Sequence, residues 1–369
     1  MSDKIYLTGL NGIRAIAALS VVFSHINNRL DYFELPKNKL LDLANFGVTI
    51  FFTLSGFLIT YLLLKEKEKT GTIDIKKFYI RRILRIWPLY FIYLIIVVLL
   101  NGIETVRWPI LFYLLIIPNL RNSFAQVANM AVGGKNLTYM VGHYWSLGVE
   151  EQFYAFWPWI VKKANNLLHI LVWFPIVYLV LKVVLKLFNA PVGVLTFFHY
   201  TRFGCLAIGA LGAYLFFTNN STVSRWFTNK WIEITGWLLL LVVACNKFHL
   251  ASIIDHEIIS VVTLVIIYNQ VSNPKRIINL EHNVFDFLGK ISFGIYVYNP
   301  LIIYLMAFVI NPLQIENPIG KQIVIYATII PTIILVSFLS YNYFEKIFLK
   351  LKYNYTVITS SSSKTEFQN

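Results

Sequence analysis

Long apolar stretches alternate with short polar ones from about Leu7 to Glu345. A helix that crosses the hydrocarbon core of a bilayer needs about 20 mostly apolar residues. Segments meeting that need run roughly 8–27, 44–64, 83–101, 144–161, 167–187, 195–217, 231–246, 252–271, 288–310 and 322–345. The pattern predicts an all-α, polytopic integral membrane helical bundle of about ten transmembrane helices. A further apolar piece, 108–118, is bracketed by Pro109 and Pro118 and is short for a crossing. If it does not cross, the loops holding Lys65–Arg82, Lys162–Lys163, Ser224–Lys230 and Lys275–Arg276 fall on one side, together with the tail after Glu345. Basic loops stay cytoplasmic. We therefore expect 108–118 to be interfacial or re-entrant and both termini to be cytoplasmic. The first apolar stretch contains Arg14 and lacks a small-residue cleavage site after it, so it reads as a retained span and not a cleaved signal. The chain divides into a membrane domain, 1–350, and a polar tail, 351–369. The tail is Ser-rich beyond Tyr355 and is expected to be disordered.

Composition strengthens this picture. The 369 residues are 57% hydrophobic and 14% charged, with a mean hydropathy of +0.63, whereas a soluble domain is about a quarter charged. The formal charge of +14 does not imply nucleic acid, because the basic residues sit in short segments between apolar runs, facing anionic lipid. Cys205 and Cys245 each lie inside an apolar run and give neither a disulfide framework nor a metal-ligand spacing, so no metal is expected.

Ionisable residues inside spans are costly and are functional candidates. The first span holds Arg14 and His25. Eleven residues at about 100° each bring them back to one helix face, roughly 16 Å apart along the axis. The bland alternative is an arginine that snorkels to headgroups and a histidine that merely ends a helix. Arg82 and Arg85, with Arg81 beside them, open the third span. Guanidiniums three apart share a face and suit a polyanion such as a phosphorylated cofactor, although such clusters also simply mark topology. Glu150 and Glu151 lie near the outer end of a span, at a depth comparable to His25. A carboxylate there could orient an imidazole base, or could be purely structural. Adjacent helical residues diverge by about 100°, so only one of the two can face a given site squarely. Arg202 could balance a carboxylate or bind substrate, and Trp145 is an aromatic candidate beside the same site. In Gly47–Thr60, the small residues Gly47, Ser55 and Gly56 favour close helix packing over substrate contact.

Several segments taken together resemble acyltransferase family 3, bacterial membrane enzymes that O-acylate sugars of cell-surface polysaccharides. They are Leu10-Asn-Gly-Ile-Arg14 with His25, Gly47–Ile59, Arg82-x-x-Arg85 followed by Ile-Trp-Pro-Leu-Tyr90, and Trp145-Ser-Leu-Gly-Val-Glu150. Arg202–Gly209, Leu288–Tyr296 and Tyr343-Phe-Glu345 continue the match. Their combination in this order is what makes the resemblance specific. It implies an acyl-CoA co-substrate, usually acetyl-CoA, entering from the cytoplasm, a saccharide hydroxyl as acceptor, and residence in the bacterial inner membrane. Carried over residue by residue, it makes Arg14, Arg82 and Arg85 the donor-binding set, and His25 and Glu150 the catalytic pair. Asn299 stands where the family often has histidine. Asparagine does not titrate, which leaves His25 as the base candidate. A transporter or flippase of a lipid-linked sugar is the alternative from another class. It would also carry intramembrane charges, but no inverted repeat is evident.

Overall fold

Our computed structural model describes residues 3–37, 44–128 and 130–361. Each of the ten apolar segments is helical. The principal helices are Leu10–Asn28, Ala44–Thr70, Ile75–Asn101, Trp145–Lys163, Leu167–Leu187, Lys230–Ala244, Asp255–Ser272, Ser292–Ile310 and Pro318–Ser340. The segment expected at 195–217 is divided at Arg202 into Val192–Thr201 and Phe203–Phe217, because Arg202 takes a left-handed conformation with φ 38°. By length and apolar content, six helices among the described residues can cross a bilayer. A seventh is added if Ser221–Phe227 and Lys230–Ala244, bent by 50°, form one span. This measure gives fewer than the expected ten because Leu10–Asn28, Trp145–Lys163 and Asp255–Ser272 carry many polar residues.

Those polar residues point inward. Asn11, Ser24, Asn27, Thr49, His143, Ser146, His256, Glu257 and Asn299 are buried, while Val172, Trp173, Ile176, Val177, Val180 and Leu187 of one helix lie exposed. A water-soluble monomer does not display so large an apolar surface. The chain is a multi-pass membrane protein.

Ala44–Thr70 is the central helix, packed by Leu10–Asn28, Trp145–Lys163, Phe203–Phe217 and Asp255–Ser272. Its contact with Phe203–Phe217 depends on two glycines. A methyl added at Gly56 would run into the Leu206 carbonyl oxygen, and one added at Gly209 into that of Thr53. This is the small-residue packing expected of the 47–60 stretch at Gly56, but Ser55 turns to the opposite side and does something else.

Two expectations meet particular outcomes. Segment 108–118 breaks into Trp108–Ile110 and the single helical turn Leu111–Leu114, far too short to cross. The tail is corrected over part of its length: Ile358–Ser361 forms a strand parallel to Asp3–Tyr6, with Asp3 opposite Ile358 and Tyr6 opposite Ser361. Backbone hydrogen bonding, which needs no apolar side chains, orders a stretch whose composition reads as unstructured. Residues 362–369 lie outside the described ones.

Candidate active site

A cavity of about 220 Å³ runs up one side of the central helix. Val48, Phe51, Phe52, Ser55, Leu58, Ile59 and Leu62 line it. Their spacing is that of one helical stripe, and fourteen residues of rise make it about 21 Å long. Several elements contribute cations to its lining: Arg14 from the first helix, Arg82 and Arg85 from Ile75–Asn101, and Lys352 beyond Pro318–Ser340, with Lys290 as well. Glu150 and Glu345 are the acidic residues of the lining. Five basic groups against two carboxylates leave the cavity strongly positive.

The cations differ in how they are held. Arg14 donates from Nη1 to Asn11 Oδ1 at 2.8 Å, and Asn11 donates in turn to Asp286 at 3.1 Å. Arg82 lies over the rings of Phe78 and Tyr154, at 5.7 and 5.8 Å, and its buried Nε has no hydrogen-bond partner among the described residues. Arg85 is exposed at the mouth. Arg81 is different. It forms a buried 2.8 Å ion pair with Glu66 and donates to the Tyr355 carbonyl, so it braces the bundle beside the cavity. The winding also contributes: Tyr341–Glu345 is a π-helical turn, and both of its end residues line the cavity. Such turns re-aim side chains that a regular helix would direct elsewhere.

Glu150 Oε1 accepts from Ser55 at 2.9 Å and Oε2 accepts at 3.3 Å from Tyr154, the same tyrosine over whose ring Arg82 lies. Glu151 faces away and accepts from Trp87 at 3.0 Å, as the 100° divergence predicts. Ser146, one turn before Glu150, lies 2.6 Å from the Tyr296 hydroxyl, and both side chains line the cavity.

His25 stands apart from this lining. Of the expected stripe on the first helix, Arg14 lines the cavity and His25 does not. The expected contact between Glu150 and His25 is replaced: Glu150 is held by Ser55 and Tyr154, and His25 Nδ1 sits 2.6 Å from Asn299 Oδ1. The reason is local. Pro300 lacks an N–H and leaves the Tyr296 carbonyl, four residues back, without its helical donor. Asn299 Nδ2 fills that gap at 2.6 Å and also donates to the Ile295 carbonyl at 3.2 Å. With its amide committed, Asn299 can present only an oxygen to His25. Nδ1 of the imidazole must then carry the proton, and Nε2 keeps the lone pair. A residue that cannot titrate thus decides which nitrogen can act as a base.

Trp145 and Arg202 are brought together, but outside the cavity lining. The Arg202 guanidinium lies 5.0 Å over the indole, bonds the His199 carbonyl and Thr49, and is buried; Tyr200 meets Trp145 edge-on at 5.0 Å. Sequence reasoning passed over His143, Lys290 and Lys352. His143 stands two residues before Trp145, and Lys290 lies inside the matching segment Leu288–Tyr296, which were the available signals; nothing in the sequence singled out Lys352 among so many basic residues. Among the described residues no cluster of potential ligands could hold a metal ion.

Known proteins bear on this geometry. The O-acetyltransferase OatA of Staphylococcus aureus (strain NCTC 8325 / PS 47) is 27% identical over 378 residues, covering 94% of this chain and 57% of its own length. The peptidoglycan O-acetyltransferase OatA of Listeria monocytogenes serovar 1/2a is 33% identical over 168 residues, 42% of this chain and 24% of its own. A relative in S. aureus strain COL, 28% identical, is likewise covered for 58% of its length, so this chain spans a little over half of the relatives that it matches along most of its own length. No solved structure matches it. The family model described as an acyltransferase domain, acyltransferase family 3, matches residues 7–342. With nearly the whole of the apolar, helical part of the chain inside that match, the chain belongs to acyltransferase family 3.

Proposed function

We propose that the chain moves an acyl group, acetyl in the first instance, from cytoplasmic acyl-CoA to a hydroxyl of a cell-surface or lipid-linked saccharide. The observation that carries this reading is the long positive cavity, with the polar constellation of Glu150, Ser55 and Tyr154 in its lining. Arg14, Arg82 and Arg85, joined by Lys290 and Lys352, take the phosphates of the donor. Guanidiniums without carboxylate partners suit such an anion, since each charge-assisted contact contributes about 1.5–3 kcal/mol. About 220 Å³ is less than the roughly 300–1,000 Å³ that encloses a drug-sized ligand. The cavity therefore takes the pantetheine arm and thioester, while the nucleotide stays at the mouth near Arg85. Glu150, with Ser55 and Tyr154, grips the arm. His25, through Nε2, removes the proton from the acceptor hydroxyl as the oxygen attacks the thioester carbonyl. Trp145 and Arg202 contact the saccharide. The donor and acceptor classes are supported by the O-acetyltransferase names of the relatives, one of which is named for peptidoglycan.

The same reading gives ten crossings of the bacterial inner membrane and cytoplasmic termini. Pairing of Asp3–Tyr6 with Ile358–Ser361 supports it, because joined terminal strands need an even number of crossings. The test uses the full chain in proteoliposomes with labelled acetyl-CoA and bacterial surface glycans. Label should reach a glycan ester in wild type and not in His25→Ala. Transfer by His25→Ala at the wild-type rate would remove the base assignment, and a wild type that leaves the thioester intact would remove the function.

A further inference from the structure

Three side chains in a row lead from the helix Asn283–Lys290 to the cavity. Asp286 Oδ1 accepts from Asn11 Nδ2 at 3.1 Å, and Asn11 Oδ1 accepts from Arg14 Nη1 at 2.8 Å. Asn11 and Arg14 line the cavity, whereas Asp286 stands outside it. Close packing holds Asp286 in this place. Gly289, three residues on and so on the same helix face, lies against the main chain of Asn11, where an added methyl would collide with backbone. Gly12 meets the main chain of Leu280 in the same way. Lys290, the next residue after that glycine contact, lines the cavity itself. One short helix thus supplies one cation of the lining and touches the support of another.

The order of the three groups matters. A guanidinium only donates and a carboxylate only accepts, while a primary amide does one at each end. Asn11 therefore has a single orientation between its neighbours: a half-turn of the amide would set N–H against N–H and oxygen against oxygen. Asn11 is buried, so water does not offer its amide an easy substitute. With Nδ2 tied to Asp286, Oδ1 stays aimed at Arg14. The arginine is pinned by a neutral acceptor and keeps its charge for an incoming anion. A carboxylate bonded to it directly would pin it equally well but would compete with that anion. We propose that Asp286 is a positioning residue for donor binding, which through Asn11 fixes the Arg14 guanidinium toward the donor phosphates. This inference rests on the acyl-CoA reading above.

The experiment compares wild type, Asp286→Ala, Asp286→Asn, Arg14→Ala and the double variant Arg14→Ala with Asp286→Ala in the same proteoliposome assay, with a melt in detergent alongside. Asp286 is half-buried, so its replacements should fold. Asp286→Ala should raise KM for acetyl-CoA about 2- to 12-fold, the worth of one intramolecular hydrogen bond, with kcat unchanged. Asp286→Asn keeps the shape and an acceptor oxygen and should stay near the wild-type KM. In the Arg14→Ala background, loss of Asp286 should shift KM no further, because the two residues act as one unit. A residue that merely tethers its helix would raise KM by the same factor with or without Arg14, and that result would overturn the inference. So would a KM that falls in Asp286→Ala and Asp286→Asn alike, which would make the carboxylate a charge that repels the donor. Both outcomes leave the acyl-CoA reading standing. A wild type inert toward acetyl-CoA would overturn that reading and this inference with it.

Discussion

Asn299→Leu tests whether the orientation of His25 depends on a neighbour that never changes charge. The substitution keeps most of the side-chain volume and removes three hydrogen bonds: the acceptor 2.6 Å from His25 Nδ1 and the donors to the Tyr296 and Ile295 carbonyls. The Ile295 carbonyl has its own helical donor one turn on, so its loss is slight. The Tyr296 carbonyl does not, because Pro300 follows, and orphaning it costs about 1–3 kcal/mol of stability. Loss of the Nδ1 acceptor acts on chemistry. The imidazole becomes free to place its proton on Nε2, where it can no longer serve as a base. A further 1–3 kcal/mol off transition-state stabilisation corresponds to a fall in kcat of about 5- to 150-fold. Steady-state kinetics in proteoliposomes reads this directly, and KM for acetyl-CoA should not move because Asn299 does not line the cavity. Asn299→Asp retains an oxygen toward His25 and should keep much more activity than Asn299→Leu. Equal activity in Asn299→Leu and wild type, or a loss confined to KM, would refute the idea that Asn299 sets the tautomer.

Replacing Arg82 and Arg85 together by alanine should raise KM for acetyl-CoA about 10- to 100-fold with a smaller change in kcat, since charge-assisted phosphate contacts are removed; an unchanged KM would leave those arginines a topological role. Gly56→Ala and Gly209→Ala should each lower stability by about 1–3 kcal/mol through backbone overlap with the facing helix, seen as a lower melting temperature in detergent, and a neutral result would mean the helices can slide apart freely. Glu66→Gln leaves the buried Arg81 without its counter-ion and should cost about 3–5 kcal/mol, measured by the same melt. Asp74 caps the helix Ile75–Asn101 by accepting from the Lys77 backbone N–H at 3.0 Å, and that bond holds its carboxyl below the usual range. A depressed carboxyl stabilises the fold above its unfolded value of about 3.9, so the cap's contribution is present at neutral pH and fades as the pH falls below about 4; Asp74→Ala should lose about 0.5–2 kcal/mol at pH 7 and should match wild type at the acid end.

The fold class needed only the one-dimensional pattern, because a bilayer demands long apolar segments and that demand is written residue by residue. The charged candidates were legible for the same reason: Arg14, Arg82, Arg85 and Glu150 stand out against apolar neighbours, and all four line one cavity. Periodicity also placed Glu151 off the site. It could not say which neighbour each polar group would meet. The stripe joining Arg14 to His25 is real as helix geometry, yet only Arg14 lines the cavity while His25 meets Asn299 of another helix, and no pattern within the first span records that. The role of Asn299 arises from Pro300 removing one donor and a helix 274 residues away in sequence presenting an imidazole. Lys352 and the strand Ile358–Ser361 read as an ordinary basic tail until the chain returns to the cavity mouth. Periodicity along a single helix fixes which face a residue shares; what stands opposite that face is set by the packing of helices distant in sequence, and only the assembled bundle decides it.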